Sequence, residues 1–180
     1  MKFNKKINIG KKLISENSRT FVIAEAGVNH GGNMEIAKQL IDLAVKAKAD
    51  AVKFQTFKTE HLILSDIQKA PYQKNTTDAS ESQFDMLKKL EVTREQNLEL
   101  KRHCIDKGII FLTTPFDEES LDEIDELDLP AYKVASTDAT NLPFLKKIAK
   151  KGKPIFLSTG MSYLSEVRLA LEAIYEHNKD

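Results

Sequence analysis

One glutamate, two lysines and three hydroxyl residues recur at one kind of place in this sequence, the end of a short apolar run. The runs read FVIAEAGVNHGG from Phe21, AVKFQTF from Ala51, IIFLTTPF from Ile109, AYKVASTD from Ala131 and PIFLSTGM from Pro154. Their ends supply Glu25, Lys53, Thr114, Lys133, Ser136 and Ser158. Two lysines withdrawn from water on neighbouring strands need an anion between them, because unpaired buried charge is costly. Hydroxyls complete the hydrogen bonds of a phosphate or a carboxylate. The set suits a small phosphorylated or carboxylated substrate.

Taken singly, each residue has a plainer reading. A lysine at a strand end more often snorkels to the surface. Glu25 can cap a helix or pair with a lysine, and the STG at 158–160 can be a helix-entry turn. The weight comes from five ends of matching chemistry. Side chains two apart on a strand share a face, so Ile23 and Glu25 share one, as do Lys53 and Gln55, Leu112 and Thr114, and Phe156 and Ser158. His30, in NHGG, is open among metal ligand, substrate contact and structural hydrogen bonder. No second histidine lies at metal-ligand spacing, so the spacing marks no metal site. His61 and His103 read as peripheral, and His177 lies in the tail.

The elements that must position these residues alternate. After the first run, Ile36, Ala37, Leu40, Leu43, Ala44 and Ala47 recur at three and four, which predicts a helix capped by Asn33. Thr93 and Gln96 have capping-box form, and Gly108 can end that helix. A third helix follows Asp117 with Leu121, Ile124 and Leu127. A fourth spans 142–151, with Pro143 in its first turn and Gly152 beyond it. A fifth starts near Ser162. The order β-α-β-α signals a parallel sheet. Residues 1–16 alternate around Gly10 and predict a small β-hairpin at the amino end of the sheet, where it can act as a floor. Residues 65–82 are polar and turn-rich, long for such a connection, and predict a lid with Tyr72 and Phe84 to dock it.

Right-handed βα units form an open doubly wound sheet or close into a barrel. An eight-unit barrel takes about 250 residues, and five units are counted here. In a barrel the strand ends converge on one cavity, whereas an open sheet spreads them along an edge. The strand-end chemistry therefore favours an α/β fold of (β/α)8 TIM-barrel type with only the first five or so units in this chain. The domains expected are a hairpin extension at 1–16 and a partial barrel at 17–180.

Composition narrows the partners. The chain has 180 residues, with 27 Lys+Arg against 27 Asp+Glu, so there is no global basic field and nucleic acid is not expected. The lysines at 2, 5, 6, 11 and 12 read as a solvated surface. The single cysteine, Cys104, excludes an internal disulfide, fits a cytoplasmic setting and reads as a packing residue. No run of about 18 apolar residues predicts a membrane span, and the N-terminus lacks the apolar region of a secretory signal.

In combination, EAGVNHGG (25–32), VKFQTFK (52–58), ESQFDMLKKLE (81–91), TTPFDEES (113–120), YKVASTD (132–138), NLPFLKKIAK (141–150) and LSTGM (157–161) resemble the sialic acid synthases. The resemblance runs from Phe21 to the last residue. It implies condensation of phosphoenolpyruvate with an N-acylated amino sugar, N-acetylmannosamine or a diacetamido relative, into a nine-carbon 2-keto acid with release of phosphate. By this resemblance Glu25 is the catalytic carboxylate, for acid–base work or orientation. Lys53, Thr114, Lys133, Ser136 and Ser158 hold phosphoenolpyruvate, and Gln55 and Asp138 face the sugar. Many relatives carry Glu and Gly where this chain has Asp138 and Thr137. The resemblance also implies a divalent metal, manganese or magnesium, that polarises the aldehyde. Its two histidine ligands lie on later strands, beyond this chain. So does a small antifreeze-like domain of a homodimer. The chain alone is therefore expected to be inactive, and the legionaminate and neuraminate branch is favoured over pseudaminate.

Two other readings compete. A Schiff-base aldolase on a similar barrel would use Lys53 or Lys133 as nucleophile. A non-catalytic α/β module would bind a phospholigand without turnover.

Overall fold

In the computed structural model of the chain, residues 1–65 and 81–179 are described. The proposed lid falls almost wholly on residues 66–80, outside the described residues, Tyr72 included; Phe84 is described and half-buried. The chain opens with β1 (Lys6–Ile9) and β2 (Lys12–Ser15), paired antiparallel across a two-residue turn. Gly10 there has φ +59, a conformation that glycine adopts without penalty.

Five parallel strands follow, β3 (Ile23–Gly27), β4 (Ala51–Thr56), β5 (Ile110–Pro115), β6 (Tyr132–Val134) and β7 (Ile155–Leu157). They form two ladders, β3-β4-β5 and β6-β7, with β5 in contact with β6. Neighbours in space are neighbours in sequence, as short right-handed crossovers produce.

The connecting helices begin and end where their residues dictate. Helix α1 (Met34–Lys46) starts at Asn33, whose Oδ1 accepts the Glu35 and Ile36 amides at 2.9 and 3.2 Å. A one-turn helix, α2 (Thr59–Leu62), follows β4, and α3 (Gln83–Lys88) starts at Ser82. In α4 (Arg94–Lys107) the capping box is complete. The Thr93 hydroxyl accepts the Gln96 amide at 3.2 Å, the Gln96 side chain accepts the Thr93 amide at 2.8 Å, and Gly108 closes it at φ 72. Asp117 caps α5 (Glu118–Asp125) and Asn141 caps α6 (Leu142–Ala149). In α7 (Leu164–Tyr175) the Glu166 carboxylate reaches back to the Tyr163 amide at 2.7 Å.

The two faces of the strands are packed differently. Val52, Phe54, Phe111, Tyr132 and Val134 join a cluster with Ala37, Ile41 and Ala44 of α1, Leu100 and Cys104 of α4, Leu121 and Ile124 of α5, and Leu145 and Ile148 of α6. The alternate residues Ala51 and Leu112, with Ala131, form a second cluster that contains no helix residue. Fully buried Ile9 of β1 sits among them, and Ile7, Ile14, Phe21, Ile23, Ile110 and Phe156 pack around it. The antiparallel ribbon thus supplies an apolar floor to the helix-free face at the amino ends of the strands. Asp50 locks this floor. It accepts the Val22 amide at 2.9 Å, lies 3.2 Å from Lys12 and pairs with Arg19.

One predicted helix face is corrected. In α1 the buried residues are Ala37, Ile41 and Ala44, while Ile36 and Leu43 are 42% and 59% exposed. The apolar stripe is wider than the strand edge beneath it. Leu40, Leu43 and Ala47 line an open groove of about 240 Å³ with Ala24, Ala26 and Val52 at the outer side of β3.

Candidate active site

β3 and β4 pair in register at Glu25 and Lys53, and β4 and β5 at Gln55 and Thr114. Partners in register on parallel strands point to the same side. Glu25, Lys53, Gln55 and Thr114 therefore emerge on the helix-free face, above the apolar floor. Lys53 Nζ stands 2.5 Å from Glu25 Oε2 and donates to Thr114 Oγ1 at 3.4 Å. The burial is lopsided: the lysine side chain is 10% exposed and the glutamate 54%.

Lys133 stands on β6, separated from Lys53 on β4 by β5 rather than on the neighbouring strand expected, but it pairs in register with Phe156 and so belongs to the same face. Its Nζ donates to the Val134 carbonyl at 2.5 Å, and among the described residues it has no carboxylate of its own. Burial lowers its pKa, the positive charge of Lys53 adds to that, and Glu25 opposes both; the result is about 8. Among the described residues two cations thus face one carboxylate, the imbalance that an anionic ligand removes.

The backbone makes room for this group at Gly27. The β3–β4 register shifts between Glu25 and Gly27, and Gly27 has φ 52. A Cβ there would lie 3.1 Å from Glu25 Oε1 and 3.5 Å from Gln55 Nε2. Alanine would be strained at that φ and would crowd the carboxylate.

The other strand-end residues stand around this centre. Ser136 opens a 3-10 turn (Ser136–Asp138) after β6. The Ser158 amide donates to the Val134 carbonyl at 3.1 Å, which extends the β6–β7 pairing. The Ser136 hydroxyl lies 3.5 Å from where a Cβ on Gly160 would be, so the turn after β6 and the loop after β7 abut. Neither serine hydroxyl is bonded to Lys53 or Lys133 among the described residues.

Asp138 lies in a different recess, of about 410 Å³, lined by His61, Leu62, Phe116, Thr137, Asp138 and Asn141. Burial raises its pKa, against weaker hydrogen bonds from Asn141 and Thr137. Gln55, the other residue read as facing a sugar, does not line this recess and stands beside Glu25. His61 is not peripheral. It lines the recess, and its Nδ1 is 3.5 Å from Asp117 Oδ1. Its place two residues inside the turn that follows β4 was the available signal.

Sequence reasoning also missed two groups that hold the strand ends in place. Asp117 accepts the Lys58 amide at 2.9 Å and the Ser120 amide and hydroxyl at 2.8 and 2.7 Å, tying the loop after β4 to the start of α5. On the helix-covered face, Thr56 Oγ1 is 2.8 Å from Thr113 Oγ1, and Asn97 Nδ2 donates to Thr56 at 3.1 Å. All three are buried, so each polar atom needs these partners.

His30 resolves as a structural hydrogen bonder. It is buried beside Phe54, its Nδ1 accepts the Gly32 amide at 3.0 Å, and burial lowers its pKa, so the ring is neutral near pH 7. Gly32 is needed there, since a side chain would overlap the Lys89 carbonyl oxygen. His103 pairs with Asp42 at 3.0 Å on exposed helix surface. Cys104 is buried and its thiol is pushed up to about 12, so it packs and does not react. Among the described residues no group of three or more His, Cys, Asp or Glu is placed to hold a metal ion. His30 Nδ1 is engaged and its buried Nε2 has no hydrogen-bond partner among the described residues, but with no further ligand grouped beside it the described residues do not fit the expected divalent metal. No helix among the described residues is long and apolar enough to cross a membrane.

Comparison with known proteins adds four likenesses. A family model described as the NeuB family matches residues 40–180. The N,N'-diacetyllegionaminic acid synthase of Campylobacter jejuni is 49% identical over 156 residues, which cover 87% of this chain and 47% of that protein. The crystal structure of N-acetylneuraminic acid (sialic acid) synthetase from Leptospira borgpetersenii superposes with a TM-score of 0.84 at 31% identity, over 98% of this chain and 57% of that one. A heptonate aldolase (DAHP synthase) from Thermotoga maritima gives a TM-score of 0.69 at 15% identity, a likeness of fold alone. The chain spans about half the length of the curated relatives it matches.

Proposed function

The chain belongs to the NeuB family, and from that membership and the geometry above we propose that it carries the phosphoenolpyruvate half of a synthase of sialic-acid-like sugars. The reaction joins C3 of phosphoenolpyruvate to the aldehyde carbon of an open-chain N-acylated amino sugar. Positive charge develops at C2, water adds there, and the tetrahedral intermediate expels phosphate. Lys53, Lys133 and Thr114 hold the phosphate and carboxylate, with Ser136 and Ser158 completing the contacts. Fixed cations of this kind stabilise charge without reorganising during the reaction. Glu25 acts next to the reacting carbons, and Gln55 and Asp138 face the sugar. A diacetamido sugar of the legionaminate type is the proposed electrophile, in line with the Campylobacter relative.

The observation that supports this most is the placement of Lys53 and Lys133 on one face, with Glu25 paired to Lys53 and near enough to Lys133 to act on its charge. In the architecture proposed, the helix-free face is the interior of a partial (β/α)8 barrel. In its support, helix residues join only the cluster on the opposite face. A divalent metal, manganese or magnesium, belongs to the reading only as a group held by residues other than those described, and a homodimer is part of the same proposal. The 180-residue chain alone is proposed to bind phosphoenolpyruvate without turnover. Phosphate release from phosphoenolpyruvate and the amino sugar is the test. Steady release by this chain alone would refute the inactivity. In a complete synthase, Glu25→Ala should abolish release while phosphoenolpyruvate binding survives, and retained turnover removes Glu25 from the reaction.

One observation favours a second reading. A buried lysine with a pKa of about 8 is partly neutral at pH 7–8 and can act as an amine nucleophile. A Schiff-base aldolase would use Lys133 in this way. Borohydride reduction with pyruvate separates the two: a stable adduct on Lys133 supports the aldolase, and an unmodified lysine supports the synthase.

A further inference from the structure

The Glu25–Lys53 contact has an unusual balance. Lys53 is held by the strands on both sides, paired in register with Glu25 on β3 and Leu112 on β5, and its side chain is nearly buried. Glu25 is more than half exposed, and its ion-pair partner among the described residues is Lys53. It stands beside a glycine whose missing side chain leaves room around the carboxylate and the Gln55 amide. Lys133, the second cation, is bonded among the described residues only to a main-chain carbonyl. A dianion seated between the lysines would need the place on Lys53 that Glu25 now fills.

We propose that Glu25 is a resident stand-in for the ligand: its carboxylate occupies the anion's seat on Lys53, and an incoming phosphate or carboxylate displaces it outward, past the room left at Gly27, towards the solvent that it already faces. This deepens the reading of the strand ends as a phosphoenolpyruvate site and rests on it. The displacement has two consequences. The buried ammonium is never left without a partner, which would be costly. The glutamate is also released beside the bound ligand only once the ligand is seated.

The test is phosphoenolpyruvate binding by the 180-residue chain, measured by calorimetry, with far-UV circular dichroism to check folding. Glu25→Gln removes the competing charge and should tighten binding about five- to tenfold. Glu25→Asp discriminates further. It keeps the charge but is one methylene shorter and cannot span to Lys53. A stand-in predicts that Asp tightens binding nearly as much as Gln. A carboxylate acting only through its long-range field predicts wild-type affinity for Asp, and that result overturns the proposal. Equal or weaker binding by both variants also overturns it, while leaving the anion site intact. If neither the wild-type chain nor the variants bind phosphoenolpyruvate, the anion site and the stand-in fall together. Should the variants misfold, the wild-type chain decides. With 13C-labelled glutamate, the Glu25 carboxyl resonance should move on saturation with phosphoenolpyruvate, and an unmoved resonance refutes displacement.

Discussion

At the amino end of β4, Asp50 lies between Lys12 and Arg19; at the carboxyl side, Glu25 lies beside Lys53 with Lys133 close by. Among the described residues each cluster has one acid and two cations, and their burial is opposite. The Asp50 side chain is 2% exposed, while Lys12 and Arg19 are 49% and 64% exposed, so water solvates the surplus charge. At the other end the lysine is buried and the acid is exposed. Charge count alone therefore does not mark a binding site. What marks it is which sign is withdrawn from water. The first cluster is a clamp already satisfied, and the second lacks one anion.

The largest effect should come from removing the cation that has no carboxylate. Lys133→Met should weaken phosphoenolpyruvate binding by about a hundredfold or more, given the roughly 3–5 kcal/mol attached to breaking a buried charge pair. Calorimetry checks it, and binding within a few fold of wild type would mean that Lys53 alone seats the ligand. The floor should behave in the opposite way. Ile9→Ala deletes fully buried methylenes beneath the site and should cost about 3 kcal/mol of stability in urea unfolding. Its phosphoenolpyruvate affinity, corrected for the folded fraction, should be unchanged.

Asp50→Asn probes the clamp itself. It removes a charged acceptor from the Val22 amide and both cations and should cost about 2 kcal/mol, again without loss of affinity. The Val22 amide first, with Lys12 and Arg19 in support, holds the Asp50 carboxyl below its ordinary range. A depressed carboxylate contributes stability above its unfolded value, near pH 4, and loses it as pH falls through the folded value. Acid unfolding of wild type should thus include a component that Asp50→Asn lacks.

Much of this was legible in the sequence, and the reason is local. The caps at Asn33 and Thr93 depend on residues two or three apart, and the structure forms both of them. The pairing of Lys53 with Gln55 on one face follows from the two-residue period of a strand. What was not legible depended on contacts across the fold. That Glu25 bonds Lys53, that the Asp50 clamp closes on Arg19, and that His61 turns into the recess with Asp138 are set by neighbours 28, 31 and 77 residues away by subtraction of their numbers. The exposure of Leu43 had the same origin: an apolar period predicts a buried face but not the width of the sheet below it.

The pH dependence of binding sharpens the contrast between the clusters. The Lys133 amine has its pKa lowered to about 8 in the folded chain, chiefly by burial. The fold therefore favours its neutral form. The penalty for charging it is fully present below about pH 8 and is relieved as pH rises from there towards the ordinary lysine value, so this group raises stability with pH in that window. Ligand binding has the opposite sign, because an anion needs the charged amine. Affinity should fall above about pH 8 by up to about tenfold per unit, with proton uptake seen by calorimetry in buffers of different ionisation enthalpy. Lys133→Met should abolish that uptake.

The smallest effects should be those of the exposed cations of the clamp. Lys12→Ala and Arg19→Ala each remove one partner of Asp50 but leave the Val22 amide and the other cation in place. Exposed ion pairs contribute about 0–1 kcal/mol, because water and salt already screen them. Each variant should therefore lose under about 1 kcal/mol, less at high salt, and neither should change phosphoenolpyruvate affinity. Affinity is the sharper readout of the two. If Arg19→Ala weakened binding tenfold, the charge at the amino end would be part of the site's field, and the division into a satisfied clamp and an anion-deficient site would be wrong.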